Sequence, residues 1–95
     1  MGEEFYCILK LVSSEEILSL IMIDENDGDP IIILQNPVLM KPIITSTGGS
    51  YVKIKPWIVM SSDDMFLIKL DKVITMTETK DIKLIQLYEH YISDD

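Results

Sequence analysis

The chain contains no arginine. All eight of its cations are lysines, set against sixteen acids, for a formal net charge of −8 at pH 7. Strong, non-specific nucleic-acid binding needs a broad basic face, so this balance weakens the case for such a binder while leaving room for a local basic patch. Cysteine is equally scarce. A lone Cys7 cannot form an internal disulfide, and within an apolar strand pattern it reads as a small core residue rather than a nucleophile. There is one histidine, His90, near the C-terminus. Catalytic dyads and metal sites need several such groups together, so the expectation is a non-enzymatic protein with no metal and no cofactor. No apolar run approaches the roughly 20 residues needed to span a bilayer. The start, Met1-Gly2-Glu3-Glu4, is acidic and does not read as a signal peptide, and Tyr6 stands where a myristoylation signal wants Ser or Thr. Cytoplasmic residence is the simplest expectation.

The 95 residues fit one domain, 1–95, with no room for a second core. Hydrophobic residues make up 47% of the chain, too many for a disordered one, and the dominance of β-branched isoleucine favours strands. Phe5–Val12 reads as a first strand, closed by the polar turn Ser13-Ser14-Glu15. The run Glu16–Asp24 is almost continuously apolar, which implies burial on both faces or one face against a partner. The turn residues Glu25–Pro30 end it. Ile31–Leu34 opens a third strand that can continue through Val38 to Ile44. Asn36-Pro37 and Pro42 interrupt it, so it is expected to bend or lie at an edge. After the flexible loop Ser46–Ser50, Tyr51–Met60 begins with clean alternation. Met65–Lys69 is strand-like, Leu70-Asp71-Lys72 a short bend, and Val73–Thr77 the last strand. The period then changes. Thr79 can cap a helix and Asp81 suits its first turn, with Ile82, Leu84, Ile85, Leu87, Tyr88, Tyr91 and Ile92 at helical spacing. The expectation is an all-β barrel or sandwich over about 5–77, followed by a helix over about 79–93 that packs on the barrel or on a neighbouring subunit. A small, partly closed barrel leaves strand edges that aggregate or pair with further copies, and head-to-tail pairing with a closing rotation gives a ring.

The stretch Lys10–Ile17 resembles the start of an Sm-like domain, where a first strand passes through a tight turn into a long second one. The family's usual Gly at that turn is Ser14 here. Asp24, a short loop and Ile31–Val38 resemble the rest of the first Sm motif. Ile68-Lys69-Leu70-Asp71-Lys72-Val73-Ile74 resembles the second, with Met60-Ser61-Ser62 as an alternative position for its bend. Pro56-Trp57 before an acidic turn is similar to the Sm-like proteins of tailed phages, including those of cyanobacteria. The resemblance implies a strongly bent five-stranded barrel, pairing through edge strands into homo-oligomeric rings of about five to seven subunits. It also implies single-stranded RNA bound at the ring's inner rim by stacking, base-edge reading and a cation. By position, Asp24 matches the acid of the loop after the second strand, Asn26 is the only Asn there, and Lys69 stands at the cation position, beside Asp71 and Lys72. The family usually carries an N-terminal helix, whereas the helix signal here is C-terminal. Other departures are a longer loop without an aromatic, Met or His to stack a base, Leu70 in place of Gly, and extra negative charge from Asp27 and Asp29.

Other groupings have their own readings. Asp24, Asn26, Asp27 and Asp29 superficially resemble a calcium loop, but Gly28 is one position early and Gln35 stands where a bidentate Glu is required, so a solvated turn is expected. Glu15 and Glu16 point to opposite faces of a strand and cannot act as an acid–base pair. Lys53 and Lys55, with Tyr51 and Trp57 on the same strand face and Lys41 nearby, form the best basic cluster. It is either a nucleic-acid surface or a solvated face with a half-buried aromatic. Two functions follow: an RNA-binding ring, or a ring-shaped module for protein partners favoured by the acidic charge.

Overall fold

A computed structural model describes residues 3–25 and 28–93. In chain order the elements are β1 (Phe5–Leu11), β2 (Glu16–Asp24), β3 (Ile31–Ile44), β4 (Ser50–Pro56), β5 (Met65–Lys69), a 3-10 turn (Leu70–Lys72), β6 (Val73–Glu78) and α1 (Ile82–Ser93). All strand pairs are antiparallel, in the order β4-β3-β2-β1-β6, with β5 also paired to β3.

This pairing forces the sheet to curl. Laid flat, β5 and β6 would lie four strand spacings apart across β3, β2 and β1, about 19 Å. Yet only the turn Leu70–Lys72 joins them, and a 3-10 turn of that length covers about 8 Å. The two ends must come together, and backbone bonds hold them there. The Leu70 amide donates to the Pro30 carbonyl (3.4 Å) and the Val12 amide to the Lys72 carbonyl (2.9 Å). The result is a strongly bent barrel with Cys7, Leu9, Leu11, Ile17, Ile21, Ile32 and Leu34 buried inside it. Burying each of the larger of these side chains is worth about 1.5–3 kcal/mol.

The bend in β3 has a definite origin. Leu20 pairs with Gln35 and Leu18 with Val38, so β2 advances two residues while β3 advances three. The extra residue is a bulge. It inverts which side chains of β3 face inward: Ile32 and Leu34 before it, Leu39 after it. Asn36 takes a φ of +50° there, a conformation asparagine tolerates better than most residues. Asn36-Pro37 therefore bends the strand, as its composition predicts.

β4 and β5 lie along the same edge of β3, and residues 57–64 leave the sheet between them. They depart where the Trp57 amide donates to the Pro37 carbonyl (3.0 Å) and return where the Asn36 amide donates to Asp64 (2.6 Å). The path through the sheet thus has five strands, and β5 is a sixth segment continuing the edge begun by β4. The strand expected over Tyr51–Met60 stops at Pro56 because the excursion opens opposite the bulge.

The helix begins at Ile82, later than the expected 79. Asp81, not Thr79, is its cap: the Asp81 carboxylate accepts from the amides of Lys83 (3.1 Å) and Leu84 (3.3 Å). Thr79 instead extends the β1–β6 ladder through its amide to the Tyr6 carbonyl (2.9 Å). The helix docks on the outside of the barrel, where Tyr88 joins Leu18 and Val38 in a second core flanked by Tyr6, Ile8, Met40 and Leu84. Tyr88 is 1% exposed, and its hydroxyl sits on the bulge. Its proton is shared between the carbonyls of Gln35 (2.8 Å) and Asn36 (3.0 Å), and its oxygen accepts from the Leu20 amide (3.3 Å). Ser19 adds a bond to the Gln35 carbonyl (2.8 Å). The side chains thus satisfy the backbone groups that the bulge takes out of the ladder.

Past the start of β2, residues 40–44 of β3 and 50–54 of β4 form a two-stranded arm, with Lys55 at its base opposite Leu39. It contributes to a long axis of 52 Å against 29 and 27 Å in the other directions.

Candidate nucleic-acid interface

One end of the barrel gathers the residues that the Sm-like resemblance assigns to RNA. Asp24 pairs with Ile31 and Ile31 with Lys69, so the three form a row across β2, β3 and β5 on one face of the sheet. All three are exposed. The sequence supports this placement locally: Asp24 and Ile31 flank the turn between β2 and β3, and Lys69 ends β5 where the 3-10 turn begins. Beside the row is an open cavity of about 310 Å³, lined by Asp29, Pro30, Lys69, Leu70 and Asp71. Leu70, which replaces the family's glycine, and Pro30 supply apolar walls, and their backbones are bonded to each other. Lys69 supplies positive charge; Asp29 and Asp71 oppose it.

Asp24, Lys69 and Asp71 are therefore brought to one end. Lys72 lies at the far side of the same turn, with its carbonyl tied to Val12. Asn26 falls outside the described residues. Of the two bends that resemble the second motif, Leu70-Asp71-Lys72 is a 3-10 turn that leads directly into β6, whereas Met60-Ser61-Ser62 belongs to the excursion.

The alternative surface divides. Lys53 and Lys55 are exposed on β4, whereas Trp57 turns into the base of the barrel core. Its ring meets Phe66 edge-on with centroids 6.1 Å apart, and its indole N–H donates to the Glu15 carboxylate (3.1 Å). Trp57 is thus committed to packing and does not share an open face with the lysines.

Sequence reasoning missed a second cavity, of about 390 Å³, between the excursion, the bulge and the end of the helix. Its walls include Asn36, Pro37, Asp63, Asp64, Phe66 and Tyr91. The signal available for it was Asn36-Pro37 in mid-strand. No lysine lines it, and its two carboxylates repel phosphate, so it is chemically unsuited to a nucleic-acid backbone.

The titrating groups with clear shifts are structural. Burial pushes the Cys7 thiol up to about 11, so it stays protonated and is a poor nucleophile. The hydroxyl of Tyr6 donates to the Glu89 carboxylate, and this bond with burial raises it to about 12. Burial also raises Tyr88. Among the described residues, no three His, Cys, Asp or Glu side chains converge on a possible metal position, and no helix is long and apolar enough to cross a membrane.

Comparison with curated proteins returns no match. A family model described as the Sm_like domain matches residues 8–89, from β1 through most of the helix. With that match over most of the chain, and with the bent antiparallel barrel already in place, the chain belongs to the Sm-like family.

Proposed function

We propose that this protein is a non-enzymatic, ring-forming module that holds single-stranded RNA at the barrel end built by the β2–β3 loop and the turn Leu70–Lys72. The observation that carries the reading is that Lys69 and Asp71 line one cavity while Asp24 stands in the same cross-strand row as Lys69, on a chain of the Sm-like family. In this reading Lys69 and Lys72 meet phosphates, Asp24 and Asn26 meet base edges, and the apolar walls of Pro30 and Leu70 take the place of a stacking ring. With two lysines, no arginine and two opposing acids, binding is weak, tolerant of sequence and steeply dependent on salt.

The outer edges of β5 and β6 have no strand partner within the described residues. Paired head to tail between copies, they close a ring of about five to seven subunits. The resemblance of Pro56-Trp57 and its acidic turn to the Sm-like proteins of tailed phages supports a role in RNA metabolism or regulation in the cytoplasm of an infected cell.

Fluorescence anisotropy with labelled oligo-U and oligo-A at low salt tests the RNA reading. The wild type binds, and Lys69→Gln weakens binding several-fold. Absence of binding at tens of micromolar refutes it. The runner-up is a ring that binds protein partners, favoured by the net charge of −8 and by the exposed apolar residues Ile58, Val59 and Met60 on the excursion, Met60 being 96% exposed. Nuclease-insensitive partners in a pull-down distinguish it.

A further inference from the structure

Every acidic residue of this chain lies outside residues 30–62, a segment that holds Lys41, Lys53 and Lys55. The chain has sixteen acids and eight lysines, so scattered charge would put acids in this segment too; here the sign is separated. The arm formed by residues 40–44 of β3 and 50–54 of β4, with Lys55 at its base, is therefore a positive projection on a strongly negative molecule.

The strand register concentrates that charge further. Lys41 is paired directly with Lys53, Leu39 with Lys55 and Ile43 with Tyr51. Directly paired residues share a face, as do residues two apart along a strand. Lys41, Lys53, Lys55 and Tyr51 thus lie on the same side of the arm. The opposite side carries Met40 and Ile54, which pack toward the helix. The lysine side continues the inner surface of the barrel past its mouth, since Leu39 and Trp57 at its base belong to the inner core. All three lysines are exposed, Tyr51 is 55% exposed, and none of the three lysines is ion-paired among the described residues. At the base, the Glu15 carboxylate is engaged by the Trp57 indole. Like charges directly across a strand pair destabilise it, so the Lys41–Lys53 pair is unfavourable until an anion neutralises it.

We propose that this face of the arm is a second binding surface for single-stranded nucleic acid, separate from the barrel-end site. The three lysines contact successive phosphates, and the Tyr51 ring offers a face on which a base stacks. Phosphodiester backbone with unpaired bases is the partner that uses both features at once. The surface does not depend on the barrel-end reading, because it shares no residue with it.

The test is anisotropy with a labelled, unstructured oligonucleotide on the full chain, measured from 50 to 200 mM salt. Wild type is compared with the triple variant Lys41→Gln, Lys53→Gln, Lys55→Gln and, separately, with Lys69→Gln, Lys72→Gln. Removing three phosphate contacts lowers the slope of log affinity against log salt by about 2, which is about a 20-fold difference in salt sensitivity over that range. The triple variant is expected to lose at least this slope while retaining the fold by circular dichroism. Because it removes like-charge repulsion, its stability should not fall. An unchanged slope and affinity in the triple variant overturns the proposal, as does absence of binding by the wild type. Loss only in Lys69→Gln, Lys72→Gln overturns the arm and leaves the barrel-end reading standing. Photo-crosslinking of a 4-thiouridine oligonucleotide gives a measurement that needs no variant. Crosslinks within residues 51–55 support the arm, and crosslinks confined to residues 69–72 refute it. Polyglutamate that binds the wild type as tightly as the oligonucleotide also refutes it, by showing that the surface recognises no feature of nucleic acid.

Discussion

At the scale of single residues, two positions carry unusual demands. Ser14 sits at φ +80° in the turn between β1 and β2, in the left-handed region that glycine occupies without strain. The turn is tightly bonded, with the Ser14 amide donating to Leu11 (2.9 Å) and the Ser14 carbonyl accepting from the Lys10 ammonium (2.9 Å), so the conformation is imposed on the residue. Ser14→Gly removes the side-chain strain and is expected to stabilise the protein by about 0.5–1 kcal/mol, read as a higher urea midpoint at unchanged slope. Cys7 makes the second demand, through its burial. Its thiol is raised from 9.0 to about 11, and Tyr6 from 10.0 to about 12. Both groups hold their protons more tightly folded than unfolded. Their contribution to stability is complete below pH 9 and is lost as pH rises through 11 and 12. Urea midpoints should therefore be flat from pH 7 to 9 and fall above it. Iodoacetamide at pH 8 should label Cys7 only in unfolded protein; rapid labelling of the folded chain would contradict its burial.

At the scale of elements, the helix and the bulge explain each other. β3 bends because it carries one more residue than β2 across the bulge, and the stranded backbone groups are met by the Tyr88 hydroxyl. Tyr88→Phe keeps the ring in the outer core but removes the hydroxyl. It should cost about 1–3 kcal/mol in a urea titration, the range for leaving buried polar groups unsatisfied. A cost near zero would mean that the hydroxyl does not clasp the bulge. Much of this layer was legible in the sequence: the strands through their alternation, the helix through its change of period, and the bend through Asn36-Pro37. The curl was legible only through family resemblance, because it depends on β5 and β6 pairing with strands distant in sequence. The packing of Trp57 was not legible. Alternation places it on the side of Lys53 and Lys55, and there it lies at the base of that side, but β4 ends at Pro56 and the indole is taken up by Glu15 and Phe66 instead of standing open beside the lysines. The candidate site was legible by motif position for Asp24, Lys69 and Asp71. Its apolar walls, Pro30 and Leu70, were not, because they meet only when the barrel closes.

At the scale of the whole molecule, charge and edges govern behaviour. A chain of net charge −8 approaches polyanions poorly, so any RNA binding must come from local lysines and must fade with salt. The outer edges of β5 and β6, unpaired among the described residues, give the molecule two surfaces for strand addition, at the two ends of the curled sheet. Assembly would multiply each lysine site by the number of copies, so that sites weak alone hold one strand by avidity. Assembly and binding are thus one claim, and native mass spectrometry of the full chain with and without oligo-U reads both. The account predicts a single closed species of about five to seven copies, carrying one oligonucleotide at low ionic strength and losing it as ammonium acetate is raised. A monomer that takes up no RNA at tens of micromolar would contradict it.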